Sequence, residues 1–234
     1  MARLIAALIR HGDYRQLADT PSAHQPFPLT AEGEDQSLQA ASAIRDALDK
    51  QGWTLSAKID SSRLLRAWQT AHIICDSLAD CLPLPAELDS FDALAERSLG
   101  SAANLSIARI ESIIREDPRF TELPADWKSN SHFRLPLQGA ESLMQAGERV
   151  ADHLQQQMQA LADSASTDSL RLFVGHGAAF RHAAHHLGLL SFEQIAQLSM
   201  YHAQPVYIEY LPGNGWRHIE GEWKIRSQHS EYTD

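Results

Sequence analysis

Three short strand-like runs in this chain each end on a cation or an imidazole, and that pattern constrains the fold more than any other feature. Leu4 to Ile9 leads into Arg10-His11-Gly12, Leu55 to Asp60 into Ser61-Ser62-Arg63-Leu64-Leu65-Arg66, and Leu170 to Val174 into Gly175-His176-Gly177. Runs of this length suit buried strands, and helical periodicity follows each one. After the first comes a proline-broken loop, Asp13 to Pro28. Thr30 then caps a helix with Leu38, Ala41, Ile44 and Leu48 on one face and Gly52 past its end. After the second, Ser61-Ser62 reads as a turn, and a helix runs from Leu64 to Leu78 with Ala67, Ala71 and Ile74 on one side. Ala178 to Leu187 follows the third.

Strands alternating with helices predict parallel pairing through right-handed crossovers. The expected fold is a three-layer α/β/α sandwich around a mostly parallel central sheet. The strand ends then share one edge, and the C-terminal edge of such a sheet is where ligands bind. Residues far apart in sequence (Arg10, His11, Arg66 and His176) are expected to meet there. Gly12 allows a sharp turn and close approach of backbone N–H groups to a ligand.

The alternation breaks down between Pro83 and Gln138. Ile107 to Glu116 reads as a helix stopped by Asp117-Pro118, and Phe120 to Gln138 is rich in Pro, Asp, Ser and Asn. We read residues 1–234 as one domain, with an insertion at about Phe91 to Gln138 forming part of a lid. Trp127 and Phe133 are its aromatic candidates for substrate contact. Ser142 to Leu161 returns to helical periodicity. Val206 to Tyr210, the Pro212–Gly215 turn and Trp216 onward read as a hairpin, with a frayed tail past Arg226.

A net charge of −10 over 234 residues argues against a nucleic-acid partner. The N-terminal apolar run is too short for a signal or a membrane span, so no membrane partner is expected and the cytoplasm is the expected location. Cys75 and Cys81 make no disulfide framework, and Cys75 reads as a small buried hydrophobe. His182 and His186 stand four apart on a helix, but no carboxylate completes a metal site on that face, and none is expected.

Two imidazoles beside two guanidiniums suit phosphoryl transfer to a protein nitrogen. A neutral imidazole can attack phosphorus and hold the phosphoryl group covalently. Arg10 and Arg66 can grip its equatorial oxygens, His176 can add an N–H, and the next helix can add its N-terminal dipole. Glu96, in Leu94-Ala95-Glu96-Arg97, is the candidate acid for the leaving oxygen. Arg97 is a further candidate cation for substrate binding.

Taken in order, these four motifs resemble the histidine phosphatase superfamily, which includes cofactor-dependent phosphoglycerate mutases and many small phosphatases. The resemblance runs from residue 4 to about residue 187. It implies that His11 is the nucleophile, that Arg10, Arg66 and His176 complete the phosphate pocket, and that Glu96 is the mutase-branch acid, with Gly100 matching a glycine that follows. The mutases it resembles carry a Glu-Ser start after Arg-His-Gly and an Asn downstream, where this chain has Asp13, Tyr14 and Arg15. Their aromatic two residues past Glu-Arg is replaced by Leu99, and a glycine is missing from Ser101-Ala102-Ala103-Asn104. These departures favour a phosphatase acting on a small phosphorylated metabolite without a cofactor. A phosphomutase is the nearest alternative, a catalytically silent phosphate-binding protein a second, and a metallohydrolase built on the histidine-rich helix a third.

Overall fold

The computed structural model describes residues 2–21 and 24–226. Its centre is a six-stranded sheet in the order β3-β2-β4-β1-β6-β7. The four strands β1 (Leu4–Arg10), β2 (Thr54–Ser62), β3 (Glu87–Phe91) and β4 (Ser169–Gly175) are parallel, and the hairpin β6 (Val206–Leu211) and β7 (Gly215–Glu220) adds an antiparallel edge. A small second sheet pairs β5 (Leu198–Ser199) with β8 (Lys224–Ile225). The tail expected past Arg226 lies outside the described residues.

β1 shows why an unbroken apolar run makes a central strand. Ile5, Ala7 and Ile9 enter one apolar cluster, with helices α1 (Ala31–Gln51) and α2 (Leu65–Ser77). Leu4, Ala6 and Leu8 enter a second on the opposite face, with α4 (Leu143–Ala162) and α5 (Gly177–His186). Both faces are covered, so both sets of alternating side chains must be apolar. This is the expected three-layer α/β architecture. Thr30 caps α1 by accepting from the Gly33 N–H at 3.1 Å, and Gly52 closes it in the left-handed conformation.

Three sequence expectations need correction. Ser61 and Ser62 are not a turn but the last residues of β2, paired with Ser90 and Phe91. Their partner β3 was missed because Glu-Leu-Asp-Ser-Phe is a half-exposed edge strand without an apolar repeat. The insertion, which follows β3, also has a core of its own. Leu99, Ala102, Ile110 from α3 (Ile107–Glu116), Trp127 and Leu135 are buried together. Trp127 is therefore a core residue there rather than a substrate contact, its indole N–H donating to Glu111 Oε1 at 3.2 Å. Cys75 is half-buried rather than buried.

The turn after β1 is pressed directly onto the first turn of α1. A Cβ on Gly12 would lie 2.4 Å from the Gly33 carbonyl oxygen, and one on Gly33 would lie 2.0 Å from that of Asp13. Alanine normally stabilises a helix over glycine by about 1 kcal/mol. Gly33→Ala should instead destabilise the protein by about 1–3 kcal/mol, because the helix or the turn must move. Thermal unfolding checks this: a melting temperature raised by the substitution would mean that the two backbones are not in contact in solution.

Candidate active site

The register of β1 against β4 sets Arg10 beside Gly175, so the next residues, His11 and His176, emerge side by side. The His11 N–H donates to the Gly175 carbonyl at 3.0 Å, and the imidazole centroids are 5.1 Å apart. Arg66 arrives from the first turn of α2, beyond β2, the neighbour of β4 on its other side. All four expected pocket residues, Arg10, His11, Arg66 and His176, are buried and converge at this edge.

Hydrogen bonds assign the imidazole protons. Arginine only donates, so His11 Nε2, 3.1 Å from Arg66 Nε, must be the acceptor. The proton then sits on His11 Nδ1 and is donated to the Gly12 carbonyl at 2.7 Å. The Nε2 lone pair therefore faces the Arg66 guanidinium. His176 has the opposite tautomer. Its Nδ1 accepts from Arg66 Nη2 at 3.2 Å, so Nε2–H donates to Ser62 Oγ at 2.9 Å. The His176 proton thus points at β2.

The surrounding backbone fixes these groups. Arg10 Nη1 donates to the Met200 carbonyl at 2.9 Å, and its stem lies so near α5 that a Cβ on Gly177 would be 3.1 Å from Cδ. His202 Nδ1–H donates to the His11 carbonyl at 2.8 Å. The Gly12 N–H donates to Thr70 Oγ1, whose hydroxyl donates to the Arg66 carbonyl, tying the turn after β1 to α2. Arg66 Nη1 donates to the Gln25 carbonyl at 2.9 Å. Behind β2, Asp60 accepts from Arg171 Nη2 at 2.6 Å and from His153 Nε2 at 2.8 Å, joining β2, β4 and α4 one residue before Ser61.

Glu96 is buried at the start of α5. Its Oε2 accepts from the Ala178 N–H at 3.3 Å and its Oε1 from the Arg97 N–H at 2.8 Å, so a helix N-terminus holds the carboxylate beside His176. His24 donates to the Glu96 carbonyl at 3.2 Å. Arg97 is half-buried. Burial lowers the pKa of its guanidinium, opposed by the nearby Glu96 and Glu141 carboxylates. Gly100 has φ +60°, and a Cβ there would lie 2.2 Å from the Gln138 carbonyl oxygen, so this loop needs glycine. On α5, His182 donates from Nδ1 to the Ala178 carbonyl and faces the insertion's Ser131 Oγ at 3.0 Å, while His186 donates to the Met144 carbonyl. These two histidines thus have separate protein partners.

Sequence reading placed Ser62 near the pocket turn without a role, noted Tyr14 only as a departure from the mutase pattern, and missed Gln25, His24 and His202 as neighbours of the cluster. Gln25 contributes a carbonyl that any residue would carry, and no motif flagged the two histidines.

The sheet and its edge define an α/β protein with a buried cluster of two guanidiniums and two imidazoles. The chain belongs to the histidine phosphatase superfamily (branch 1), whose family model matches residues 6–220. Among solved structures, it is similar to mycobacterial glucosyl-3-phosphoglycerate phosphatase, with 21% identity and a TM-score of 0.66 over 97% of this chain and 99% of that one. It also resembles a putative alpha-ribazole-5'-P phosphatase from Escherichia coli str. K-12 substr. MG1655, with 18% identity and a TM-score of 0.62 over 93% of this chain and 97% of that one. A phosphoglycerate mutase from Bacillus anthracis str. Sterne matches at 15% identity and a TM-score of 0.67, over 97% of this chain and 92% of that one. At such identities the likeness speaks for the fold. No curated protein matches the chain. Among the described residues, no helix is long and apolar enough to cross a membrane.

Burial holds the pKa values of His11 and His176 well below the ordinary imidazole value, with the Arg66 cation the next cause. Burial also lowers that of His182, to about 3, assisted by the Arg181 charge and opposed by its bond to Ala178. Below pH ~6.5 the unfolded chain binds protons that these folded histidines refuse, so stability should fall as the pH falls. His182 alone should contribute about 1.4 kcal/mol per pH unit between its unfolded and folded values. The melting temperature should be flat above neutrality and decline from pH 6.5 toward 4. His182→Gln should flatten that decline; an unchanged slope would show that His182 is not buried neutral.

Proposed function

We propose that this chain is a phosphatase that hydrolyses a small phosphomonoester through a phosphohistidine at His11, with no metal or cofactor required. The observation that carries this reading is the His11 tautomer. Nδ1–H is held by the Gly12 carbonyl, and the Nε2 lone pair is turned to the buried Arg66 guanidinium.

A substrate phosphate would first draw the Arg66 N–H off the His11 lone pair. Nε2 then attacks phosphorus as the bond to the leaving oxygen breaks, with Arg10 and Arg66 carrying charge on the equatorial oxygens. His176 can join them from Nδ1 by taking up there the proton of an entering phosphate monoanion, while its Nε2–H stays on Ser62 Oγ. Glu96, in its acid form, gives its proton to the leaving oxygen. In the second half, the Glu96 carboxylate takes a proton from water as that water attacks phosphorus and His11 leaves as neutral imidazole. The insertion forms part of the lid, and Arg97 is a cation available to a second anionic group of the substrate. Two of the solved structures of similar fold carry phosphatase names, consistent with hydrolysis.

Rapid quenching with substrate should trap acid-labile, base-stable phosphate on His11, and His11→Ala should abolish turnover. Substantial activity in that variant would remove the proposed mechanism. Glu96→Gln should depress hydrolysis of alkyl phosphates by about 100-fold or more, and of an activated aryl phosphate far less, because that leaving group needs no proton. Equal losses on the two substrates would take Glu96 out of the acid role. Incubation with 3-phosphoglycerate, with and without 2,3-bisphosphoglycerate, separates the mutase alternative. Isomerisation that outpaces phosphate release and depends on the bisphosphate would replace hydrolysis as the reading.

A further inference from the structure

Tyr14 stands three residues after the nucleophile, where the chain leaves the sheet edge. Its ring is buried and lies over the Arg66 guanidinium, with Cζ 4.4 Å from the ring centroid. The same ring meets His11 edge-on, at 5.3 Å between centroids and 89° between planes. Local backbone pairing fixes the ring: Tyr14 bridges antiparallel to Leu29, and the Arg15 N–H donates to the Pro28 carbonyl at 3.1 Å.

Arg66 is thus held in two ways. Its edges donate in-plane to His11 Nε2, the Gln25 carbonyl and His176 Nδ1, and one face rests on Tyr14. To bind a phosphoryl group, Nε and Nη2 must leave the imidazoles and turn toward oxygen. An aromatic face lets a flat cation slide in its own plane and resists tilting out of it. It also offsets part of the cost of burying that cation. We propose that Tyr14 is a positioning residue, whose ring guides Arg66 between its resting bonds to His11 and His176 and its bonds to the phosphoryl group. This rests on the reading that Arg66 binds the phosphoryl group.

The test is calorimetric binding of inorganic phosphate to the full chain. Tyr14→Phe keeps the ring and should stay within about threefold of the parent affinity, whereas Tyr14→Leu, similar in bulk without a π face, should weaken binding by about tenfold. Increasing ring fluorination of a phenylalanine at position 14 preserves shape while draining the π face, and should weaken binding stepwise. It decides the matter even where Tyr14→Leu does not fold. In an Arg66→Ala background, the change at position 14 should have no further effect. Binding that ignores fluorination, or a loss at position 14 that persists without Arg66, would overturn the role of Tyr14 and leave the pocket reading standing. Unweakened phosphate binding by Arg66→Ala alone would overturn the pocket reading and, with it, this proposal.

Discussion

The site depends first on the parallel register between two central strands. β1 and β4 pair residue for residue from Leu4 opposite Ser169 to Arg10 opposite Gly175, and the His11 N–H continues the ladder to the Gly175 carbonyl. A one-residue slip would send every β1 side chain to the other face, exchanging the two apolar clusters. It would also separate His11 from His176. The packing that stabilises the sheet is therefore what places the two imidazoles together. The glycines around them serve the same end: a Cβ on Gly175 would lie 2.8 Å from the Phe180 ring, and one on Gly12 would strike α1.

With that register fixed, the cluster must solve an electrostatic problem, because Arg66 is wholly buried. Its surroundings include two neutral imidazole nitrogens, a carbonyl and an aromatic face, with the Glu96 charge also favouring the cation. Each of these acceptors is uncharged, so none would repel an anion brought to the guanidinium. A carboxylate paired to Arg66 in the same plane would hold the cation more firmly and oppose the anion. Glu96 instead stands off at the α5 N-terminus, its oxygens held by backbone N–H groups. The same burial favours the neutral forms of His11 and His176, which leaves the His11 Nε2 lone pair to accept from Arg66.

Much of this was legible in the sequence because strand ends and residue type coincide there. The apolar run from Leu4 predicts a central strand, Gly12 predicts a turn, and the shared edge of parallel strands predicts that Arg10, His11, Arg66 and His176 converge. What was not legible depends on partners that residue type does not encode. Arg66 is held by the carbonyl of Gln25 and His11 by a contact from His202, and no motif announces either. Ser62 looked like part of a turn because β2 continues past its apolar residues, carried by pairing with an edge strand of little pattern. Trp127 looked like a ligand contact because its neighbours are polar. Its true partners, Leu99, Ile110 and Leu135, are scattered across the insertion, and only the fold assembles them.

The segment between β1 and α1 is what joins the chemistry to the rest of the molecule. Tyr14 covers Arg66, Gln25 accepts from it, and His24 donates to the backbone of Glu96. Farther out, the Asp19 carbonyl accepts from the Ile107 N–H at the start of α3, in the insertion with its own core. The segment therefore touches Arg66, the backbone of Glu96 and the insertion. Three of these contacts use backbone carbonyls, those of Gln25, Glu96 and Asp19, which is why side-chain pattern alone does not announce them.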